Sequence, residues 1–190
     1  MTRIYLIRHG KPQSGWGEAA DPDPGLDATG QAQAEAVADW LAALPEAERP
    51  TRVMSSPLRR CRETAWPFAA TLGMAPTIEP AVGEIPTPEG LATEVRGAWL
   101  KTAFEGEWSQ IAGDRDYEAW RAGVVAALVG QGGTAVYSHF VAINAVVSIL
   151  TGDPRVVAFR PDHTSVTVLE SDGWALTLVA KGPEAATQVL

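Results

Sequence analysis

The sequence predicts an α/β fold with three layers, α/β/α, around a mostly parallel central sheet. Short apolar, partly β-branched runs alternate with longer segments of helical periodicity, and Pro and Gly separate the two kinds of segment. Strands that alternate with helices form parallel sheets covered on both faces. A chain of 190 residues, 46% of them hydrophobic, suits one such domain and is short for two. We therefore expect residues 1–190 to form a single domain.

The first half of the chain supplies two strand–helix pairs. Ser56 and Pro57 are expected as the N-cap and the first position of the second helix, because both residue types favour those positions. The predicted elements are a strand at 3–7, a helix from its cap at 27 to 45, a strand at 51–55 and a helix from 56 to 73.

The second half begins with a proline-rich segment, and we expect residues of about 75–130 to form a helical, cap-like insertion. A third strand and a buried helix follow, and then a hairpin whose turn is predicted at 171–173. The predicted elements are helices at 89–104, 114–129 and 141–150, and strands at 134–138, 165–170 and 174–180.

Charge and composition exclude several classes of protein. The net charge of −8 argues against a nucleic-acid binder, which would carry a basic face. No apolar run approaches the roughly 18 residues that span a bilayer, and the N-terminus does not resemble a signal peptide. We therefore expect a cytoplasmic protein without membrane contact; its oligomeric state is left open. The single cysteine, Cys61, excludes an internal disulfide, and burial is its expected state.

Polar residues follow three of the predicted strands. In parallel sheets, ligands bind at the carboxyl ends of the strands. The residues at these ends are Arg8 with His9, Ser55 with Ser56, and Ser138 with His139.

The triplet Arg8-His9-Gly10 suits phosphate chemistry. A guanidinium offers a fork of donors to phosphate oxygens, and a neutral imidazole is a nucleophile. Gly10 lets the backbone turn sharply beside a ligand. An equally weighted alternative is a surface ion pair beside a core histidine.

Three further features point weakly to the same chemistry. Arginines in the first turn of a helix, at 59–60, suggest an anion at the helix N-terminus, although a solvated turn paired with Glu63 is as good an explanation. His139 alone is more simply a core histidine. Glu84 lies in the irregular middle segment, where it could serve as a general acid.

Together these segments resemble the histidine phosphatase superfamily, which has the phosphoglycerate mutase-like fold. The resemblance covers most of the chain. The segments that carry it are Leu6-Ile7-Arg8-His9-Gly10, Leu26 to Ala34, Ser55 to Ala65 and Val136-Tyr137-Ser138-His139.

The resemblance implies a role for each matching residue. His9 would be the nucleophile that becomes phosphorylated, and Glu84 the proton donor and acceptor. Arg8, Arg60 and His139, together with His9, would form the phosphate-binding pocket. The resemblance also implies that no metal and no cofactor takes part.

Arg60 is preferred to Arg59 for this pocket. The family's arginine lies four residues after the serine that matches Ser56. The helical period agrees, because Leu58 and Cys61 take the core face and leave Arg60 on a flank.

The sequence departs from the family's pattern at three positions: Lys11, Phe140 and Asn144 stand where many members have an acidic residue, glycine and arginine. We expect Phe140 to narrow the pocket or to shift a backbone N–H near the phosphate. The loop 11–23 is expected to line the entrance, with Gln13, Ser14 and Trp16.

The implied function is a phosphatase that hydrolyses a small phosphomonoester through a phosphohistidine intermediate. A phosphomutase would use the same pocket, but the chain leaves little room for the insertion that closes over the site in family mutases. A non-catalytic phosphate-binding module is a further alternative. A metal site built from His9, His139 and Glu84 is disfavoured, since the neighbouring arginines would repel a cation.

Overall fold

A computed structural model of the protein describes residues 2–13 and 21–185. Within these residues, six strands form one sheet in the order β3-β2-β4-β1-β5-β6, and five α-helices accompany it. The strands are β1 (Thr2–Arg8), β2 (Arg52–Ser55), β3 (Thr77–Ile78), β4 (Thr134–Ser138), β5 (Val166–Ser171) and β6 (Leu176–Ala180). The helices are α1 (Ala28–Ala42), α2 (Arg59–Thr71), α3 (Thr93–Glu105), α4 (Tyr117–Val129) and α5 (Phe140–Thr151).

Strand pairing confirms the predicted mostly parallel sheet. The strand β4 pairs in parallel with both β1 and β2, and β2 pairs in parallel with β3. The hairpin of β5 and β6 is antiparallel, and β5 also runs antiparallel to β1. The carboxyl ends of β1, β2 and β4 therefore meet at one edge, and the start of β5 lies beside the end of β1.

The sheet separates two cores, as the three-layer prediction requires. Successive side chains of a strand point to opposite faces. Ile4 and Leu6 of β1 pack into a core that includes residues of α3, α4 and α5. Tyr5 and Ile7 pack into the other core, against residues of α1 and α2. Both faces of β1 are thus buried, which explains its continuous apolar run.

Several predicted boundaries differ from the structure. The N-cap of α2 is Leu58, not Ser56, and the helix begins at Arg59. Ser56 follows β2 directly, and its hydroxyl oxygen contacts another side chain instead of capping the helix. Helix α4 begins at Tyr117, three residues after the predicted start, because the carboxylate of Asp116 accepts the N–H of Ala119.

The remaining differences are small. Helix α3 begins at Thr93, and the two-residue strand β3 was not predicted. The predicted stop at Gly152 is confirmed, since this residue caps α5 with φ of 69°. Among the described helices, none has both the length and the apolar character needed to cross a bilayer.

Candidate active site

The structure brings together all five residues that the sequence singles out. Arg8 ends β1 and His9 follows it, and His139 follows β4. Arg60 lies in the first turn of α2, and Glu84 follows a 3-10 turn at 80–82. The Ser138 hydroxyl donates a 2.7 Å hydrogen bond to the carbonyl of residue 82 and so holds the Glu84 segment beside the end of β4.

The ring of His9 is held in one tautomer. Its Nδ1 lies 2.8 Å from the carbonyl oxygen of Gly10, which can only accept, so Nδ1 carries the hydrogen. The lone pair is then on Nε2, which lies 3.3 Å from Nε of Arg60. Burial, together with the nearby His139, Arg60 and Arg8, lowers the pKa of His9 well below its usual range. At neutral pH this ring is therefore uncharged.

Two glycines allow the loop after β1 to pack against the start of α1. A Cβ on Gly10 would lie 2.6 Å from the carbonyl oxygen of Gly30, and one on Gly30 would lie closer still to Lys11. The Asp27 carboxylate accepts the N–H of Gly30 and caps α1. The N–H of Gly10 donates to the Thr64 hydroxyl of α2 at 2.9 Å. The carbonyl that orients His9 is thus fixed from both helices.

Arg60 reaches the centre of the site, whereas Arg59 does not. Besides His9, the guanidinium of Arg60 lies 3.4 Å from Glu84 Oε2 and 3.2 Å from Nδ1 of His139. Arg59 is exposed and pairs with Glu63 one turn further on, at 2.6 Å. The choice of Arg60, made from the resemblance and in agreement with the helical period, fits these positions.

His139 is completely buried, and both of its ring nitrogens have neighbours. Nδ1 faces Arg60 and also lies 3.4 Å from Glu84 Oε2. Nε2 lies 2.8 Å from the hydroxyl oxygen of Ser56. Burial and the arginines around it lower the pKa of His139 well below its usual range.

Arg8 is nearly buried and is held by a loop before β5. Its Nη1 donates to the carbonyl of Pro161 at 2.9 Å, while its buried Nε has no partner among the described residues. Burial lowers the pKa of Arg8 to about 10, so the side chain stays charged at neutral pH. The guanidinium carbon lies 5.3 Å from the centre of the Phe140 ring. The unusual Phe140 therefore packs against the guanidinium of Arg8.

Glu84 is the acidic group of the site. Its side chain is 7% exposed, and Oε1 accepts the N–H of Ile85 at 3.1 Å. Burial raises its pKa, against the opposing effects of Arg60, Arg96 and Arg8. The carboxyl group therefore holds a proton at a higher pH than an exposed glutamate does, which suits an acid that also acts as a base.

The sequence prediction missed His163 and Arg96. Nδ1 of His163 lies 3.2 Å from the carbonyl oxygen of His9, and the two rings are 5.7 Å apart. Thr164, next in the chain, has φ of 56°, a conformation that side chains disfavour, and its N–H donates to the carbonyl of Arg8. Arg96 of α3 acts electrostatically on Glu84 and donates to the Thr87 hydroxyl at 2.7 Å.

Two of the family departures have structural roles. The Asn144 side chain is buried, and its oxygen accepts the N–H groups of Ala158 and Phe159, so it secures the chain that leads to residues 160–165. Lys11 pairs with the α1 cap, Asp27, at 3.1 Å. In the predicted entrance loop, Ser14 and Trp16 lie outside the described residues.

The assembled groups suit a doubly charged anion. Arg8, Arg60 and Arg96 and two uncharged imidazoles surround the Glu84 carboxyl group, and Asp23 lies 4.0 Å from Nη1 of Arg60. The arginines supply the charged donors for phosphate oxygens. Within residues 2–13 and 21–185, no three His, Cys, Asp or Glu side chains are arranged to hold a metal ion.

Two curated proteins of one organism are similar in sequence to this chain. An uncharacterised protein of Mycobacterium tuberculosis is 32% identical over 206 residues, and the match covers 97% of this chain and 98% of that protein. A PE-PGRS family protein of the same organism is 28% identical over 215 residues. That match covers 91% of this chain but only 35% of the relative, so the chain spans about a third of the relative's length.

Solved structures share the fold. A phosphoserine phosphatase from Entamoeba histolytica, in complex with 3-phosphoglyceric acid, has a TM-score of 0.75 at 21% identity, covering 100% of this chain and 99% of that one. A mycobacterial glucosyl-3-phosphoglycerate phosphatase has a TM-score of 0.73 at 19% identity, covering 96% and 99%. The family model of the histidine phosphatase superfamily (branch 1) matches residues 4–182. The chain therefore belongs to the histidine phosphatase superfamily, branch 1.

Proposed function

We propose that the protein hydrolyses phosphomonoesters through a phosphohistidine formed on His9. The observation that carries this proposal is the contact between Nδ1 of His9 and the Gly10 carbonyl. It leaves the lone pair on Nε2, beside the guanidinium of Arg60. An uncharged, oriented nucleophile among cationic groups is what attack on a phosphate ester requires.

In the first step, Nε2 of His9 attacks phosphorus in line with the leaving oxygen. The N–P bond forms, the P–O bond breaks, and the leaving oxygen takes the proton of the Glu84 carboxyl group. Arg8, Arg60 and His139 bind the three other oxygens, over which the negative charge is spread in phosphoryl transfer. The raised pKa of Glu84 supports its role as the acid.

In the second step, the Glu84 carboxylate takes a proton from water, and the water oxygen attacks phosphorus. The N–P bond breaks, inorganic phosphate leaves, and the lone pair returns to Nε2 of His9. Glu84 is then protonated again for the next cycle. The arginines supply the positive charge, so the proposal includes no metal and no other cofactor.

The proposed substrate is a small phosphorylated molecule. Two of the similar structures are phosphatases of phosphoserine and of glucosyl-3-phosphoglycerate, which are substrates of this size. The net charge of −8 disfavours nucleic acid, while the local arginines favour a compact anion. We further propose that the chain forms a single domain and that the protein is cytoplasmic. Residues of about 75–130 would form a cap, and this cap contains Arg96, which acts electrostatically on Glu84.

The products distinguish hydrolysis from a mutase reaction, in which the phosphoryl group is given back to a substrate molecule. The wild-type enzyme is incubated with 3-phosphoglycerate, phosphoserine and other phosphorylated metabolites, and free phosphate and isomerised substrate are measured together. Release of free phosphate without isomerisation supports the phosphatase. Interconversion of phosphoglycerate isomers would instead assign a mutase, and binding of phosphate without turnover of any substrate would assign a non-catalytic module.

A further inference from the structure

A second residue shapes the chemistry of His139 from the side away from the pocket. The hydroxyl oxygen of Ser56 lies 2.8 Å from Nε2 of His139, and both side chains are completely buried. The same oxygen accepts the N–H of Leu58 at 3.3 Å. Because a hydroxyl both donates and accepts, it can hydrogen-bond to Nε2 whether or not that nitrogen carries a hydrogen.

The other ring nitrogen, Nδ1, faces the pocket between a hydrogen-bond donor and a hydrogen-bond acceptor. Nη2 of Arg60 lies 3.2 Å away and can only donate a hydrogen bond. Oε2 of Glu84 lies 3.4 Å away and, when ionised, can only accept one. In the free enzyme, each neutral tautomer of His139 therefore finds a partner on the pocket side.

A bound phosphoryl group makes only one of the two neutral tautomers of His139 acceptable on the pocket side. Its unprotonated oxygens only accept hydrogen bonds, so Nδ1 of His139 must carry a hydrogen. The bound anion favours a doubly protonated ring, whereas burial and the charges of Arg60, Arg8 and Arg96 oppose it, and we take the ring as neutral. The titratable and charged groups that face or act on His139 are Arg8, His9, Arg60, Cys61, Glu84 and Arg96.

A neutral ring with its hydrogen on Nδ1 has a lone pair on Nε2 that needs a donor. The nearest group other than Ser56 is the thiol of Cys61, 3.4 Å from Nε2. A thiol is a weak donor, and this one also lies 3.4 Å from the carbonyl of Ser138, to which it donates. Without Ser56, the buried lone pair would have no good partner, which is costly.

We propose that Ser56 is a positioning residue: its hydroxyl donates to Nε2 of His139 and holds the neutral tautomer whose Nδ1–H faces the phosphoryl group. In this role Ser56 neither gives up nor takes a proton; its hydroxyl only donates a hydrogen bond. The inference rests on the proposed phosphate-binding role of His139.

The direct test is the tautomer of His139 in the phosphate-bound enzyme. The chain has three histidines, so nitrogen NMR of protein labelled at histidine gives few signals, and His139→Gln identifies the relevant pair. With saturating inorganic phosphate, the wild-type ring is expected to be protonated at Nδ1 and not at Nε2. A proton on Nε2, in either the neutral or the doubly protonated ring, would overturn the inference.

Kinetics provide the second readout. Loss of the partner that orients a metal-ligating histidine costs about 10–100-fold; by analogy, we expect Ser56→Ala to lower the single-turnover phosphorylation rate by about that factor. Ser56→Thr, which keeps a hydroxyl, should recover most of the rate. Ser148→Ala is the control, because this buried hydroxyl of α5 donates to the carbonyl of Ala145 and not to His139; it should keep the wild-type rate.

The outcomes separate this inference from the function on which it rests. If His9→Ala abolishes turnover while Ser56→Ala keeps the full rate, Ser56 has no positioning role and the proposed function stands. If His9→Ala still forms the phosphoenzyme, the proposed function itself fails. If Ser56→Ala does not fold, the tautomer of the phosphate-bound wild-type enzyme still decides the question.

Discussion

The carbonyl oxygen of Gly10 lies 2.8 Å from Nδ1 of His9, so the residue after the candidate nucleophile selects the tautomer of its ring. The backbone carbonyl of His9 is held in turn by Nδ1 of His163 at 3.2 Å. The backbone N–H of His9 donates to the carbonyl of Ser138 at 3.0 Å. A nucleophile fixed at ring, carbonyl and amide is preorganised, which removes the cost of orienting it during the reaction.

Gly10 should not tolerate alanine. The added Cβ would lie 2.6 Å from the carbonyl oxygen of Gly30, so the loop must move and the carbonyl that holds His9 moves with it. We expect Gly10→Ala to lower the free energy of unfolding by about 1–3 kcal/mol and to reduce kcat, as measured by urea unfolding and steady-state kinetics.

Gly123→Ala is the control for this substitution. Gly123 is an exposed residue within α4, and a Cβ there meets no atom. Alanine should raise the free energy of unfolding by about 1 kcal/mol and leave kcat unchanged. A Gly10→Ala enzyme with wild-type stability and kcat would show that the close approach to Gly30 does not matter.

Arg60 should be essential, and its neighbours on α2 should not. Loss of one preorganised charge-stabilising donor costs about 10²–10³-fold in kcat, and we expect Arg60→Ala to fall in that range. Arg62→Ala, at an exposed position of the same helix, is the matched control and should retain activity. Equal losses in the two variants would contradict the assignment of Arg60 to the pocket.

Glu84→Gln should discriminate between substrates by their leaving groups. An alkyl alcohol needs a proton as the P–O bond breaks, whereas p-nitrophenolate hardly needs one. Phosphorylation by an alkyl phosphate should slow by about 10²–10⁴-fold, and phosphorylation by p-nitrophenyl phosphate should slow much less. Single-turnover rates are required, because hydrolysis of the phosphoenzyme also uses Glu84.

An equal loss of rate with both substrates would remove the acid role from Glu84. It would indicate that the carboxylate only pairs with Arg60, 3.4 Å away, and so holds the loop in place.

The fold should lose stability as the pH falls from 7 to 5. Burial lowers the pKa of His163 to about 4, while an unfolded chain protonates this group near its ordinary value of 6.5. Between these values the unfolded state binds the additional proton, so acid favours unfolding. The lowered pKa values of His9 and His139 act in the same direction, and the raised pKa of Glu84 opposes them.

Urea unfolding at pH 7 and pH 5 measures this dependence. His163→Asn removes one of the contributing groups, and the difference in unfolding free energy between the two pH values should become smaller. A His163→Asn protein whose unfolding free energy depends on pH as strongly as that of the wild type would show that His163 is not held uncharged in the folded state.

The sequence predicts β1, β2 and β4 well because these central strands are buried on both faces. The run at 4–7 is continuously apolar and does not alternate with polar residues, which is typical of a strand buried on both faces of a parallel sheet. Arg60 could be chosen over Arg59 because it stands four residues after Ser56, as the family's arginine does after its serine, and the helical period agrees with that choice. The hairpin of β5 and β6 could be predicted because its turn carries Asp172 and Gly173.

His163 could not be predicted in the same way. It lies before β5, and only the antiparallel pairing of β5 with β1 brings it next to His9. The sequence predicts Ser56 as a helix cap because serine before proline is a strong local signal, whereas its contact with His139 spans 83 residues. Local preferences determine elements, but contacts between distant strand ends determine the site.

The central claim is that Nε2 of His9 receives the phosphoryl group. Glu84→Gln, which should hydrolyse the intermediate slowly, is mixed with p-nitrophenyl phosphate and quenched in alkali, where phosphohistidine survives. Mass spectrometry and phosphorus NMR then locate the phosphoryl group. We predict phosphate on Nε2 of His9 and none in the same enzyme carrying His9→Ala; phosphate on any other residue, or on Nδ1 of His9, would contradict the account.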